Sequence, residues 1–203
     1  VFYNNNLVCF IDKFDTIKTE NFNQVLEYSN GFNFKKIKTD LIKSKDIKFL
    51  IICQKPEEVL DFFKQYFRVI HAAGGIVKND KDEVLLIYKS GKWDLPKGKI
   101  ESEEHVKEAA KREVIEETGI KKVKILSELS QTYHIYKLKK EYVLKISHWF
   151  EMKSDFKGKF VPQKEENITE VKWINISEAM NLNNTYETIK DLLNYRFNTP
   201  LIN

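Results

Sequence analysis

The sequence contains little cysteine, proline or glycine: 203 residues include two Cys, four Pro and seven Gly. The two cysteines, Cys9 and Cys53, are far apart and lie in apolar runs. Buried free thiols explain such positions better than a disulfide or a metal site. We therefore expect a reducing, cytoplasmic compartment.

Long apolar runs and concentrated charge are also missing. No apolar stretch approaches the roughly 20 residues that span a bilayer, and the N-terminus lacks the pattern of a signal peptide. The net charge of +4 comes from lysines spread along the whole chain, whereas nucleic-acid binders usually concentrate theirs. There is thus no clear membrane or nucleic-acid signal.

The pattern of apolar residues changes near Arg68. Residues 1–67 predict a small α+β domain of unknown role, with a buried strand at Ile47–Cys53 and a helix opened by Pro56. Residues 68–203 predict several strands around one long acidic helix. Two domains or one extended fold would both fit this pattern, and the first region could serve dimerisation.

The acidic helix is predicted to run from Ser102, as its N-cap, to Thr118, with Gly119 closing it. Spacings of three and four residues place Glu113, Glu116 and Glu117 within about 100° of each other around the helix axis, on one face. No lysine of the helix shares that arc to relieve their repulsion.

Small apolar residues such as Ala109 share the same arc, so the carboxylates are expected to face the protein body. Burying three like charges is very costly unless a cation neutralises them. Hard oxygen donors select magnesium or manganese over zinc. The alternative is a solvated acidic helix face, which geometry alone leaves equally open.

At this point the sequence resembles the Nudix family. Nine constrained positions match the Nudix box at its fixed spacing: Gly98, Glu104, Arg112, Glu113, Val114, Glu116, Glu117, Gly119 and Ile120. The resemblance covers residues 69 to about 195 and implies an α/β fold, a Nudix-type α/β/α sandwich around a mixed sheet. The N-terminal α+β region lies outside it.

The resemblance also implies residue roles. Glu116 and Glu117 would hold Mg²⁺, for which Mn²⁺ could substitute, and Glu113 would ligate metal or orient the attacking water. Arg112 would tether Glu113, and Gly98 would offer its carbonyl to the metal. A further acidic residue from a later loop would act as ligand or base, and Glu165 and Glu166 are both candidates.

The activity implied is hydrolysis of a phosphate anhydride by a metal-bound water. The substrate would be a small nucleotide, either a nucleoside diphosphate linked to another group or a dinucleoside polyphosphate. Alternatives are ADP-ribose, a diphosphoinositol polyphosphate, or a ligand-sensing module without catalysis. Relatives that cleave ADP-ribose tend to carry a proline fifteen or sixteen residues past the box, where this chain has Ile135 and Tyr136.

Five residues are candidates for substrate contact. Packing is the alternative for four of them, whereas Lys97 could simply point to water. Trp93 and Tyr136 could stack on a base, and Lys97 could meet phosphate. Ala73 and Gly74 could let a ligand approach the backbone, although tight sheet packing explains them almost as well.

Overall fold

A computed structural model describes residues 1–198 of the chain. Packing divides it into two compact units. The first unit comprises Val1–Ile70 and Tyr133–Lys145, and the second comprises His71–Thr132 and the described residues from Ile146 onward. The proposed domain boundary near Arg68 stays a prediction, and residues 133–145 pack with the first unit.

The first unit is built on three parallel strands in the order β2-β4-β3. Its elements are β1 (Phe2–Tyr3), β2 (Asn6–Asp12), β3 (Gln24–Glu27), α1 (Phe34–Lys43), β4 (Lys48–Cys53) and α2 (Pro56–Lys64). Asn33 caps α1 by accepting from the N–H of Lys36, and Pro56 opens α2 as predicted. The ring of Phe63 contacts those of Phe10 and Phe34 and joins the helices to the strands.

The second unit holds the acidic helix and most of the remaining strands. The elements from Arg68 onward are β5 (Arg68–Lys78), β6 (Glu83–Lys89), β7 (Lys92–Asp94), β8 (Lys97–Lys99), α3 (Val106–Thr118), β9 (Lys124–Leu138), β10 (Glu141–Lys153), β11 (Ile168–Asn175), α4 (Ile176–Met180) and α5 (Glu187–Asn198). Strand β5 begins in the first unit. The end of β9 and the start of β10 also belong to the first unit. The main strand order here is β11-β6-β5-β10-β9.

Apolar cores lie on both faces of this sheet. On one face Ala109 and Val114 of α3 pack with Phe150 of β10. On the other, Trp149 packs with Leu192 of α5. Helices thus cover both faces of this sheet, in which β11 and β6 pair antiparallel. Parallel pairing occurs among β2, β3 and β4. The predicted α/β/α sandwich around a mixed sheet is confirmed.

The start of the acidic helix was predicted wrongly. Its N-cap is His105, not Ser102, because the preceding residues form a turn. Glu103 adopts a left-handed conformation with φ of 63°, and the N–H of Glu101 donates to the Glu104 carboxylate at 3.0 Å. The C-terminal prediction is confirmed, since Gly119 closes the helix with φ of 75°.

Residues 91–105, which lead into α3 and are called the box loop below, include two short strands, β7 and β8, that pair with β6 and β5. These pairings hold the box loop against the sheet. No helix within residues 1–198 is long and apolar enough to span a membrane.

Candidate active site

The box loop lies unusually close to the strand beneath it. In the β5–β8 pair, Ala73 lies opposite Gly98. A Cβ added to Gly74 would lie 2.3 Å from the carbonyl oxygen of Pro96, and one added to Gly98 would lie 1.9 Å from Oε2 of Glu113. The small residues are therefore needed for this packing. Ala73, a candidate for substrate contact, is fully buried beneath the loop.

Glu117 is the most deeply buried of the carboxylates. It has no exposed surface, and burial raises the pKa of its carboxyl group. Its Oε2 accepts from the backbone N–H of Lys97 at 2.7 Å, and its Oε1 lies 2.7 Å from Nζ of Lys89. The ammonium group of Lys89, from β6, thus compensates the negative charge of Glu117, and the N–H of Lys97, from β8, adds a hydrogen bond.

Lys89 also joins Glu117 to the later acidic segment. Its Nζ lies 2.5 Å from Oε2 of Glu166, which ends a 3₁₀ turn at Lys164–Glu166 just before β11. Burial alone would lower the pKa of Lys89, but the two carboxylates outweigh it and raise the pKa. Of the two late acids, Glu166 reaches this cluster, while Glu165 is exposed.

Arg112 binds three glutamates at once. Its Nε and Nη2 donate to Glu104 at 2.8 Å each, and Nη1 donates to Glu113 at 2.7 Å and to Glu116 at 3.0 Å. These hydrogen bonds raise the pKa of Arg112 and hold that of Glu104 down at about 2. The guanidinium therefore links the loop before α3 to the acidic face of the helix.

The three carboxylates of the helix do not share one environment. Glu113 is 5 % exposed, and burial raises the pKa of its carboxyl group, although Arg112 opposes the effect. The side chain of Glu116 is 46 % exposed. The expectation that all three face the protein body is wrong for Glu116, which lies at the edge of the arc and pairs outward with Arg112 one turn earlier.

Two candidate substrate residues of the second unit already have partners. Lys97 places its Nζ 2.6 Å from Oδ2 of Asp94, and both side chains are largely buried. The ring of Trp93 lies edge-on to Tyr88 at 5.1 Å and packs against the core beneath α5.

Tyr136 belongs to the first unit. There its ring stacks on His134 at 6.2 Å, and Nζ of Lys145 lies 5.2 Å from the ring centre. The structure therefore does not group Tyr136 with the box residues, which all belong to the second unit.

The donor set fits a hard divalent cation. Glu113, Glu117 and Glu166 supply only carboxylate oxygens, which suit magnesium or manganese. As the side chains stand within residues 1–198, no three acidic, histidine or cysteine groups converge into a metal-binding cluster. The carboxylates are instead neutralised by Lys89 and Arg112.

Sequence reasoning missed Lys89 and Asp94 altogether. A lysine that ends a strand is ordinarily a solvent-exposed residue. The one available signal was alternation along β6, which places Lys89 on the same face as the buried Leu85 and Ile87.

Comparison with known proteins gives a consistent set of matches. A family model described as the NUDIX domain matches residues 70–194. The m7GpppN-mRNA hydrolase dcap-2 of Caenorhabditis elegans is 31 % identical over 132 residues, covering 61 % of this chain and 16 % of that protein. The 8-oxo-dGDP phosphatase NUDT18 of Danio rerio is 40 % identical over 57 residues, covering 26 % and 18 %.

The chain therefore spans less than a fifth of either curated relative. Among solved structures, the MutT protein from Methanosarcina mazei Go1 superposes with a TM-score of 0.55 at 25 % identity. That match covers 65 % of this chain and 94 % of the other.

Proposed function

The chain belongs to the NUDIX family, and from that premise we propose that it is a metal-dependent hydrolase of phosphate anhydride bonds. The substrate class would be nucleoside diphosphates linked to another group, or dinucleoside polyphosphates. One observation carries the proposal: Glu113 and Glu117 are buried on α3, and Glu166 reaches Glu117 through Lys89. A helix that served only as a solvated acidic face would not bury two carboxylates.

The proposed metal site consists of Glu116, Glu117, Glu166 and the Gly98 carbonyl, with Glu113 beside them. A bound magnesium or manganese ion supplies charge neutralisation on phosphate oxygens and lowers the pKa of water. The N–H of Lys97 fixes the orientation of the Glu117 carboxylate, which stabilises the site before substrate arrives.

Glu113 is the proposed general base. Arg112 holds its Oε1, so Oε2, beside Gly98, is the oxygen left to accept a proton from the attacking water. Burial raises the pKa of this carboxyl group, which brings it closer to the operating pH and makes it a more effective base. The water oxygen bonds to phosphorus, the anhydride P–O bond breaks, and the departing phosphate oxygen carries the electron pair away.

Within the substrate class, dinucleoside polyphosphates are proposed over ADP-ribose. The support is the presence of Ile135 and Tyr136 where ADP-ribose-cleaving relatives tend to carry proline. For Lys97 to bind phosphate, its ammonium must first exchange Asp94 for the substrate.

The experiment is a comparison of kcat/KM for diadenosine tetraphosphate, ADP-ribose and a diphosphoinositol polyphosphate. We expect diadenosine tetraphosphate to be the best of the three substrates. If ADP-ribose is preferred, the substrate proposal is wrong and only the general hydrolase proposal survives.

A further inference from the structure

The ammonium group of Lys89 lies between two of the carboxylates proposed to bind metal. Its Nζ is 2.7 Å from Oε1 of Glu117 and 2.5 Å from Oε2 of Glu166. The Lys89 side chain is 23 % exposed and that of Glu117 is fully buried, so the contact between these two is sheltered from water. Because Oε2 of Glu117 accepts from the Lys97 N–H, both oxygens of Glu117 already have a donor.

A divalent ion and this ammonium group compete for the same oxygens. Magnesium binds oxygen at about 2.0–2.1 Å and demands near-octahedral geometry. An ammonium group hydrogen-bonded to the same two carboxylates would lie within a few ångströms of the ion. At that separation two cations repel strongly in a partly buried site.

We propose that Lys89 is the resident counter-ion of the active site, which the divalent metal displaces when it binds. The inference rests on the proposed metal site. In the metal-free protein Lys89 neutralises the buried Glu117 and ties the Lys164–Glu166 turn to the end of β6. Metal binding breaks both ion pairs, so Lys89 lowers the affinity for metal and couples metal binding to a rearrangement of that turn.

Arg112 does not play the same part. Its guanidinium makes a two-point pair with Glu104, outside the proposed ligand set, and contacts both Glu113 and Glu116 through the single nitrogen Nη1. It can therefore stay in place while the carboxylates bind a metal ion. Within residues 1–198, the only charged groups that contact Lys89 are the two proposed ligands, Glu117 and Glu166.

Metal affinity without substrate tests the inference directly. Calorimetric titration with Mg²⁺ or Mn²⁺ should show about tenfold tighter binding by Lys89→Gln than by wild type, because a competing unit charge is gone. In chelator the same variant should melt at a lower temperature than wild type. Lys99→Gln, which removes an exposed charge on β8, is the matched control and should change neither quantity.

The results of the titration distinguish a failure of the proposed role of Lys89 from a failure of the proposed metal site. Equal affinity in wild type and Lys89→Gln, or an equal gain in Lys99→Gln, overturns the role of Lys89 and leaves the metal site standing. If wild type and variant both bind no metal, the proposed metal site itself is wrong, and the inference fails with it.

A measurement on the wild-type protein covers the case in which Lys89→Gln does not fold. Lysine acetylation mapped by mass spectrometry should label Lys89 weakly in chelator and several-fold more strongly with saturating Mg²⁺. Lys111, on the outer side of α3, is the internal reference. Labelling of Lys89 that stays constant or falls on metal addition contradicts displacement.

Discussion

Arg112 and Glu104 form a two-point ion pair that fastens the loop before α3 to the helix. Nε and Nη2 of the guanidinium each lie 2.8 Å from a carboxylate oxygen of Glu104. The same guanidinium orients Glu113. The pair therefore links the position of the proposed base to the fold of the box loop.

This pair predicts a pH dependence of stability. Arg112 holds the pKa of Glu104 at about 2, below the roughly 4.3 of an unfolded glutamate. Its contribution to the free energy of unfolding is thus present above pH ~4.3 and lost as pH falls toward 2. Urea denaturation of wild type and Glu104→Gln should differ most near pH 6 and converge on acidification. A difference that does not shrink by pH 3 would contradict the assignment.

A second prediction concerns the choice between the late acids. Glu166→Gln should lower kcat by about 10- to 100-fold, as expected when a group that supports a metal site is lost. Glu165→Gln is the matched control, because it makes the same change one residue earlier on an exposed side chain. Initial rates at saturating magnesium decide the matter, and the reverse ranking would assign the role to Glu165.

A third prediction uses the close approach at Gly98. Gly98→Ala places a Cβ 1.9 Å from the position of Glu113 Oε2, so the carboxylate must move. Displacing a reacting group by about 1 Å can cost on the order of 100-fold in rate. We expect that loss in kcat with a folded protein by circular dichroism.

Gly91→Asn is the control for Gly98→Ala. Gly91 has φ of +86° and open space around it, and asparagine tolerates the left-handed region better than most residues. If Gly98→Ala and Gly91→Asn both keep wild-type activity, the tight fit at Gly98 has no catalytic meaning.

The acidic face of the helix was predictable because helical spacing places Glu113 and Glu117 together, and its end was predictable because glycine commonly closes a helix. The box itself was identified through the family resemblance. The cation that neutralises Glu117 was not predictable in this way. Lys89 precedes Glu117 by 28 residues, and only the pairing of β6 with β11 brings it beside Glu166. Contacts of this kind depend on tertiary structure rather than local pattern.

The sequence did not show that Glu166 rather than Glu165 contacts Lys89, because this contact depends on backbone geometry. The 3₁₀ turn Lys164–Glu166 is capped by Asn167, which has a left-handed φ of 59°. Glu116 was misplaced for a related reason. Helical spacing gives only the direction of its Cβ, whereas its side chain is 46 % exposed and its carboxylate pairs with Arg112.

The role of the N-terminal region gives a fourth prediction. Residues 1–67 contain no clustered acids and no phosphate-binding glycine loop, so we expect them to be dispensable for bond cleavage. Residues 133–145 pack with that region, and a plain 68–203 fragment would leave them without their partners. A fragment of residues 71–203 in which Asn-Gly replaces 133–145 should be soluble and should retain catalysis.

The control for that fragment is the same replacement in the full-length chain. Both proteins should hydrolyse the substrate with kcat within a few-fold of wild type. A folded but inactive fragment would show that the first unit completes the active site.

The most direct test of the hydrolase proposal is the magnesium-dependent rate of diadenosine tetraphosphate cleavage by wild type, Glu117→Gln and Glu108→Gln. Glu108 lies on the exposed side of the same helix, so its variant makes an equal charge change away from the site. We predict that Glu117→Gln loses at least about 100-fold in kcat while remaining folded, and that Glu108→Gln matches wild type. Near-wild-type turnover by folded Glu117→Gln would contradict the proposal.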